Sequence, residues 1–115
     1  MKLHEGFARL FGQMDAWPSK HELAEILCAA GIPIYVGRIS IRVENFDEFI
    51  FRDLDERGWQ IIDASAISLE SLLAMARRVS NALTSAALRH RFEIYNYEEE
   101  LAAYLHFQWP QGVED

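Results

Sequence analysis

The sequence predicts an α+β protein: a mostly antiparallel five-strand sheet with helices packed on one face. Three observations predict it. Apolar and polar residues alternate strictly between Ile39 and Glu44. Apolar residues then recur at helical spacing from Ser68 to Leu88, and a second alternating run from Arg89 to Trp109 carries a turn in its middle. A period of two marks a half-buried strand, and a period near 3.6 marks an amphipathic helix. The expected order is helix, helix, three strands, helix, two strands, as a single domain over residues 1–115.

Taken in order, Phe7, Leu10, Phe11 and Met14 recur at i, i+3, i+4 and i+7, which predicts a first helix over residues 3–14. Gly6 and Gly12 oppose it by about 1 kcal/mol each relative to alanine. Trp17-Pro18 ends the segment, and its stripe is expected to be core; a helix packed away from the sheet would offer that stripe to a partner. The second helix is better punctuated. Ser19 and Glu22 have capping-box spacing, and Leu23, Ile26, Leu27 and Ala30 form one stripe. Gly31 supplies a left-handed stop, Ile32 packs back on the last turn, and Pro33 forbids continuation.

From Ile34 the period is two. Ile39, Ile41 and Val43 point to the core while Arg38, Ser40, Arg42 and Glu44 point away. A turn at Asn45-Phe46-Asp47 leads to a strand with Phe49 and Phe51 inward. The polar run Asp53–Gly58 turns the chain into a third strand carrying Trp59, Ile61 and Ile62. Loops this short make an antiparallel meander. Ser68 caps the long helix, whose buried stripe is Leu69, Leu72, Leu73, Ala76, Val79, Leu83 and Ala86. The closing hairpin pairs residues 89–95 with 100–108, with Phe92 and Ile94 on the same face as Leu101, Ala103, Leu105 and Phe107. This register sets Arg91 opposite Tyr104 and Arg89 opposite His106.

Composition narrows the functional classes. Half the 115 residues are apolar, enough for a core without disulfides or metal. Eighteen acidic against eleven basic residues leave a net charge of −7. That balance repels phosphates, so free nucleic acid and anionic membranes are not expected partners, whereas a basic protein is. No apolar run follows Lys2, so no signal peptide is read, no stretch suits a membrane span, and a cytoplasmic location is expected. The lone Cys28 forms no internal disulfide and is expected to be a small buried hydrophobe.

No chemistry-bearing constellation emerges. His4, His21, His90 and His106 show no helical i, i+4 pair, and the hairpin puts His90 and His106 on opposite faces, so no metal is expected. His90 is expected at the rim of the core, hydrogen-bonded. Ser19, Ser65 and Ser68 fall where helix caps belong, and no glycine-flanked nucleophile turn or glycine-rich phosphate loop occurs. No catalytic residue and no cofactor are assigned.

What remains is the outer sheet face, which collects Arg38, Ser40, Arg42 and Arg52, then Arg89, Arg91, Glu93, Tyr95, Tyr104, His106 and Gln108. Five of the nine arginines fall there, in a chain with only two lysines. Arginine and tyrosine are enriched at protein interfaces because a planar fork or ring joins contact area to directed hydrogen bonds. The expected partner-binding residues are therefore Arg38, Arg42, Arg89, Arg91, Tyr95, Tyr104 and His106. The bland alternative is a wet sheet face stabilised by its own cross-strand pairs.

The expected function is that of a small acidic cytoplasmic protein-binding module, of the immunity-protein or dedicated-chaperone kind, without catalysis. The acidic turns at Asp53–Glu56 and Glu98–Glu100 would meet a basic partner. One alternative is a small-molecule binder or enzyme with a pocket between sheet and helices, using Asp63, His90 or Tyr35. Another is a homodimer that uses the outer face as its interface. The order of elements resembles that of small acidic secretion chaperones, in layout alone. The long middle helix and the lack of a C-terminal helix depart from their pattern.

Overall fold

The computed structural model describes residues 8–14, 19–38, 40–52 and 60–109. It is α+β, with two helices and a seven-stranded antiparallel sheet. The elements are β1 (Ala8–Met14), α1 (Lys20–Ala29), β2 (Ile34–Val36), β3 (Ser40–Val43), β4 (Glu48–Arg52), β5 (Gln60–Ala66), α2 (Leu69–Ser85), β6 (His90–Tyr95) and β7 (Leu101–Phe107). Their order across the sheet is β2-β3-β4-β5-β1-β6-β7.

The helix expected over residues 3–14 is, from Ala8 on, a strand, and it lies inside the sheet between β5 and β6. Residues 3–7 lie outside the described residues. The two periodicities overlap in this segment. Ala8, Leu10, Gly12 and Met14 form a buried row at period two, and Leu10 and Met14 also satisfy the helical stripe. Phe11 separates the two readings: it is 40% exposed, while Leu10 is 3% exposed. Gly12, unfavourable in a helix, is required here. A β-carbon at that position would sit 2.8 Å from Phe92 Cδ1 and 3.1 Å from Ile62 Cβ.

The expected five strands become seven, because β1 joins the sheet and the run from Ile34 divides. Gly37 turns the chain, its N–H donating to the Ser40 carbonyl at 2.8 Å, so Ile34–Val36 pairs back on β3 as an edge strand. The chain thus begins its described part with a strand, and the helix-first layout shared with secretion chaperones does not hold. The antiparallel meander does hold, as β3-β4-β5. Both β5 and β6 run antiparallel to β1, so they are parallel to each other, and α2 crosses over between them.

The helices obey their local signals. Ser19 Oγ accepts from the Glu22 N–H and Ser68 Oγ from the Ser71 N–H. Gly31, at φ 81°, lets the Ile32 N–H return to the Leu27 carbonyl. Ala87 closes α2 in the same way at φ 61°, although alanine adopts that region at a cost. Both helices lie on one sheet face: α1 over β2 and β3, α2 over β1, β5, β6 and β7. Arg78 Nη2 ties them together by donating to the Gly31 carbonyl at 2.8 Å. Phe49, Phe51, Phe92, Leu23, Leu27, Leu72, Val79 and Leu83 fill the space between. Cys28 is exposed rather than buried, because the stripe that α1 buries is Leu23, Ala24 and Leu27.

His90 points into this core and is fully buried. Its Nδ1 lies 2.9 Å from the Leu88 carbonyl, an obligate acceptor, so Nδ1 carries the proton. Nε2 then accepts from the Ser80 hydroxyl at 2.8 Å. The ring also packs on Phe92, with centroids 5.1 Å apart. Burial holds the His90 pKa below its ordinary value of 6.5, against the opposing pull of the Leu88 carbonyl, and His106 adds a smaller lowering. The folded state therefore excludes the proton that the unfolded chain binds. The resulting stability is fully present above about pH 6.5 and is lost as pH falls towards the lowered folded value. Urea unfolding from about pH 8 to about pH 5.5 should show wild type losing more stability than His90→Gln; equal losses would refute the neutral buried imidazole.

Candidate functional site

The face opposite the helices is built of three cross-strand rows. The middle row runs Tyr104, Glu93, Phe11, Asp63, Ile50, Arg42, Tyr35 across all seven strands. The second runs His106, Arg91, Gln13, Ile61, Arg52, Ser40, and the third Tyr95, Arg9, Ser65, Glu48. Alternation places these side chains outward because their neighbours complete the helix-facing core.

The sequence-predicted residues fall into three groups. Arg42, Arg91, Tyr95, Tyr104 and His106 do share this face. Arg38 lies beyond the strands, in the β2–β3 turn, where Lys20 Nζ donates to the carbonyls of Gly37 and Arg38. Arg89 is exposed and sits one residue before β6.

The hairpin register differs from the expected one by two residues: Glu93 faces Tyr104, and Arg91 faces His106. A shift of two leaves every side chain on its face, so alternation cannot detect it. The turn decides it. Asn96 Oδ1 accepts from the N–H groups of Glu98 and Glu100, the Asn96 N–H donates to the Glu100 carbonyl, and Glu99 adopts φ 65°. A bulge beside Tyr95 then brings Leu101 opposite it, leaving Leu101 57% exposed instead of in the apolar row.

Arg91 is held by the protein itself. Its Nε and Nη2 donate to Gln13 Oε1 at 2.9 and 2.6 Å, Nη1 lies 3.7 Å from Glu93 Oε2, and the guanidinium covers the Trp109 ring at 5.4 Å. Arg52 pairs with Asp63 at 3.3 Å. The Tyr95 hydroxyl donates to Glu93 Oε1 at 2.9 Å, and that bond to a carboxylate raises the Tyr95 pKa above its ordinary value. Tyr104 and His106 pack together at 5.1 Å. Arg9 and Arg42, in contrast, form no ion pair with the described residues.

Sequence reasoning missed Arg9, Phe11 and Gln13, which entered the face with β1. The alternation of residues 8–14 and the placement of Gly12 were the available signals. A depression of about 540 Å³ opens on this same face, framed by Arg9, Phe11, Glu48, Asp63, Tyr95 and Glu99. Asp63 and Tyr35 lie on the outer face while His90 faces the helices, so these three do not line one pocket between sheet and helices. Of the acidic turns, Glu98–Glu100 adjoins the depression, and residues 53–59 lie outside the described residues. Among the described residues no helix is long and apolar enough to cross a membrane. No protein family, curated protein or solved structure matches the chain.

Proposed function

We propose that this chain is a small acidic protein-binding module, of the immunity-protein or dedicated-chaperone kind, that engages a protein partner through its outer sheet face. One observation carries the reading. Both helices pack on one side of the sheet, while the other side presents Phe11, Tyr35, and Arg9 and Arg42, which form no ion pair with the described residues. Exposed aromatic rings interleaved with arginines supply contact area and directed hydrogen bonds. The net charge of −7 and the Glu98–Glu100 turn suit a basic partner. In this reading the protein works in the cytoplasm, where the exposed Cys28 stays reduced.

A second reading rests on the depression, whose size suits a small molecule. The two separate experimentally. Affinity capture from native lysate, read by mass spectrometry, compares wild type with the double variant Phe11→Glu/Arg42→Glu. A control, Arg77→Glu, alters the exposed side of α2. A protein retained by wild type and control but lost by the double variant supports the module. Equal recovery by all three rejects this face as the binding surface. Arg91 is avoided as a probe because its contacts to Gln13 and Trp109 make it structural.

A further inference from the structure

We infer that β7 is a homodimerisation edge: two copies of this chain pair β7 with β7, antiparallel about a two-fold axis at Tyr104, and merge their sheets into one. The inference goes beyond the proposed function, since it concerns the sheet's edge and not its outer face.

Among the described residues β7 has β6 on one side and no strand on the other. A strand so placed presents a row of unpaired N–H and C=O groups, and natural sheets blunt such edges by shortness, charge, proline, a bulge or a covering segment. The bulge of β7 lies at its start, at Ala102, and leaves residues 103–107 in regular register. The opposite edge uses shortness, since β2 has three residues. The seven residues of β7, Leu101-Ala102-Ala103-Tyr104-Leu105-His106-Phe107, include no proline, lysine, arginine, aspartate or glutamate. Within the described residues the chain leaves this edge after Phe107. Gln108 adopts φ 52°, and Trp109 is buried beneath Arg91. Burial also thins out here: Leu105 and Phe107 face the helices yet are only half-buried.

The occupant follows from the same strand. With no charged group on β7, a basic partner finds nothing there to pair with. Two chains of charge −7, however, meet along a strand that sets no like charges opposite each other. Pairing about Tyr104 sets Ala103 against Leu105, Ala102 against His106 and Leu101 against Phe107, so that an alanine receives the larger side chain in the two inner pairs. Tyr104 meets its own copy, and cross-strand aromatic pairs of this kind are favourable.

The test uses the chain alone, so its outcome is independent of any partner. Sedimentation and light scattering of wild type up to millimolar concentration should reveal a species of twice the 13.3 kDa chain mass, favoured by salt because the net charges repel. Tyr104→Lys and Tyr104→Asp should each be monomeric, since each sets like charges face to face, and an equimolar mixture of the two should restore the dimer. Amide exchange gives a readout independent of the substitutions: on dilution of wild type, β7 amides should lose protection while β1 amides keep theirs. A wild type that stays monomeric, a dimer that both substitutions leave intact, or monomeric variants that fail to combine would each overturn the inference. So would β7 amides protected only when a different protein is added.

Discussion

Leu10→Ala should lower the stability of this protein by about 2–5 kcal/mol, whereas Phe11→Ala, one residue away, should cost about 1 kcal/mol or less. The contrast follows from β1 being a strand. Leu10 pairs across the sheet with Ala64 and Ile94 and reaches the core beneath α2, while Phe11 pairs with Asp63 and Glu93 on the outer face. Truncating Leu10 leaves a cavity walled by rigid neighbours; truncating Phe11 removes a ring that water already reaches. On a helix, residues 10 and 11 would lie on one buried stripe and both substitutions would be costly. Equilibrium urea unfolding of the two variants decides the matter, and similar losses at both positions would be incompatible with the strand.

The second large effect lies where β1 and β6 touch. Phe92→Ala should cost about 3–5 kcal/mol, a substantial part of the 5–15 kcal/mol that holds an ordinary domain. The ring is fully buried against His90 and Phe49 on a strand inside the sheet. Gly12→Ala should cost about 1–3 kcal/mol by overpacking, because the new β-carbon meets Phe92 Cδ1 at 2.8 Å. The two losses share an atom, so they should not add. In the double variant the added methyl group occupies space that the ring has left, and the total should fall below the sum by at least about 0.5 kcal/mol. The Ile62 and Arg91 contacts at Gly12 persist, so the rescue is partial. Strict additivity in a double-mutant cycle would show that Gly12 is not kept as glycine by the ring above it.

Much of the candidate site was legible in residue order, and the rest was hidden for identifiable reasons. Arg42, Arg91, Tyr95, Tyr104 and His106 could be placed on one face because alternation is a purely local property of extended chain. Their partners could not. Arg91 is matched by Gln13, far away in sequence, and by Trp109, which returns beneath it after the turn at Gln108. The pairing of Ser80 with His90 escaped notice for a similar reason. Serine on a helix and histidine on a strand signal nothing until the crossover brings them within 2.8 Å.

Local chemistry in the chain sufficed for α1 and α2, their serine caps, the glycine stop at residue 31, the antiparallel meander and the inward residues of β6. Each depends on groups a few residues apart, whose hydrogen bonds or spacing the order of side chains already specifies. Tertiary structure alone decided that Ala8–Met14 is a strand inside the sheet and that Arg91 is a brace. Those outcomes turn on which distant surfaces compete for the same space. In this fold, β5 and β6 offered Leu10, Gly12 and Met14 two ladders of backbone partners and a shared core, which an isolated helix could not match.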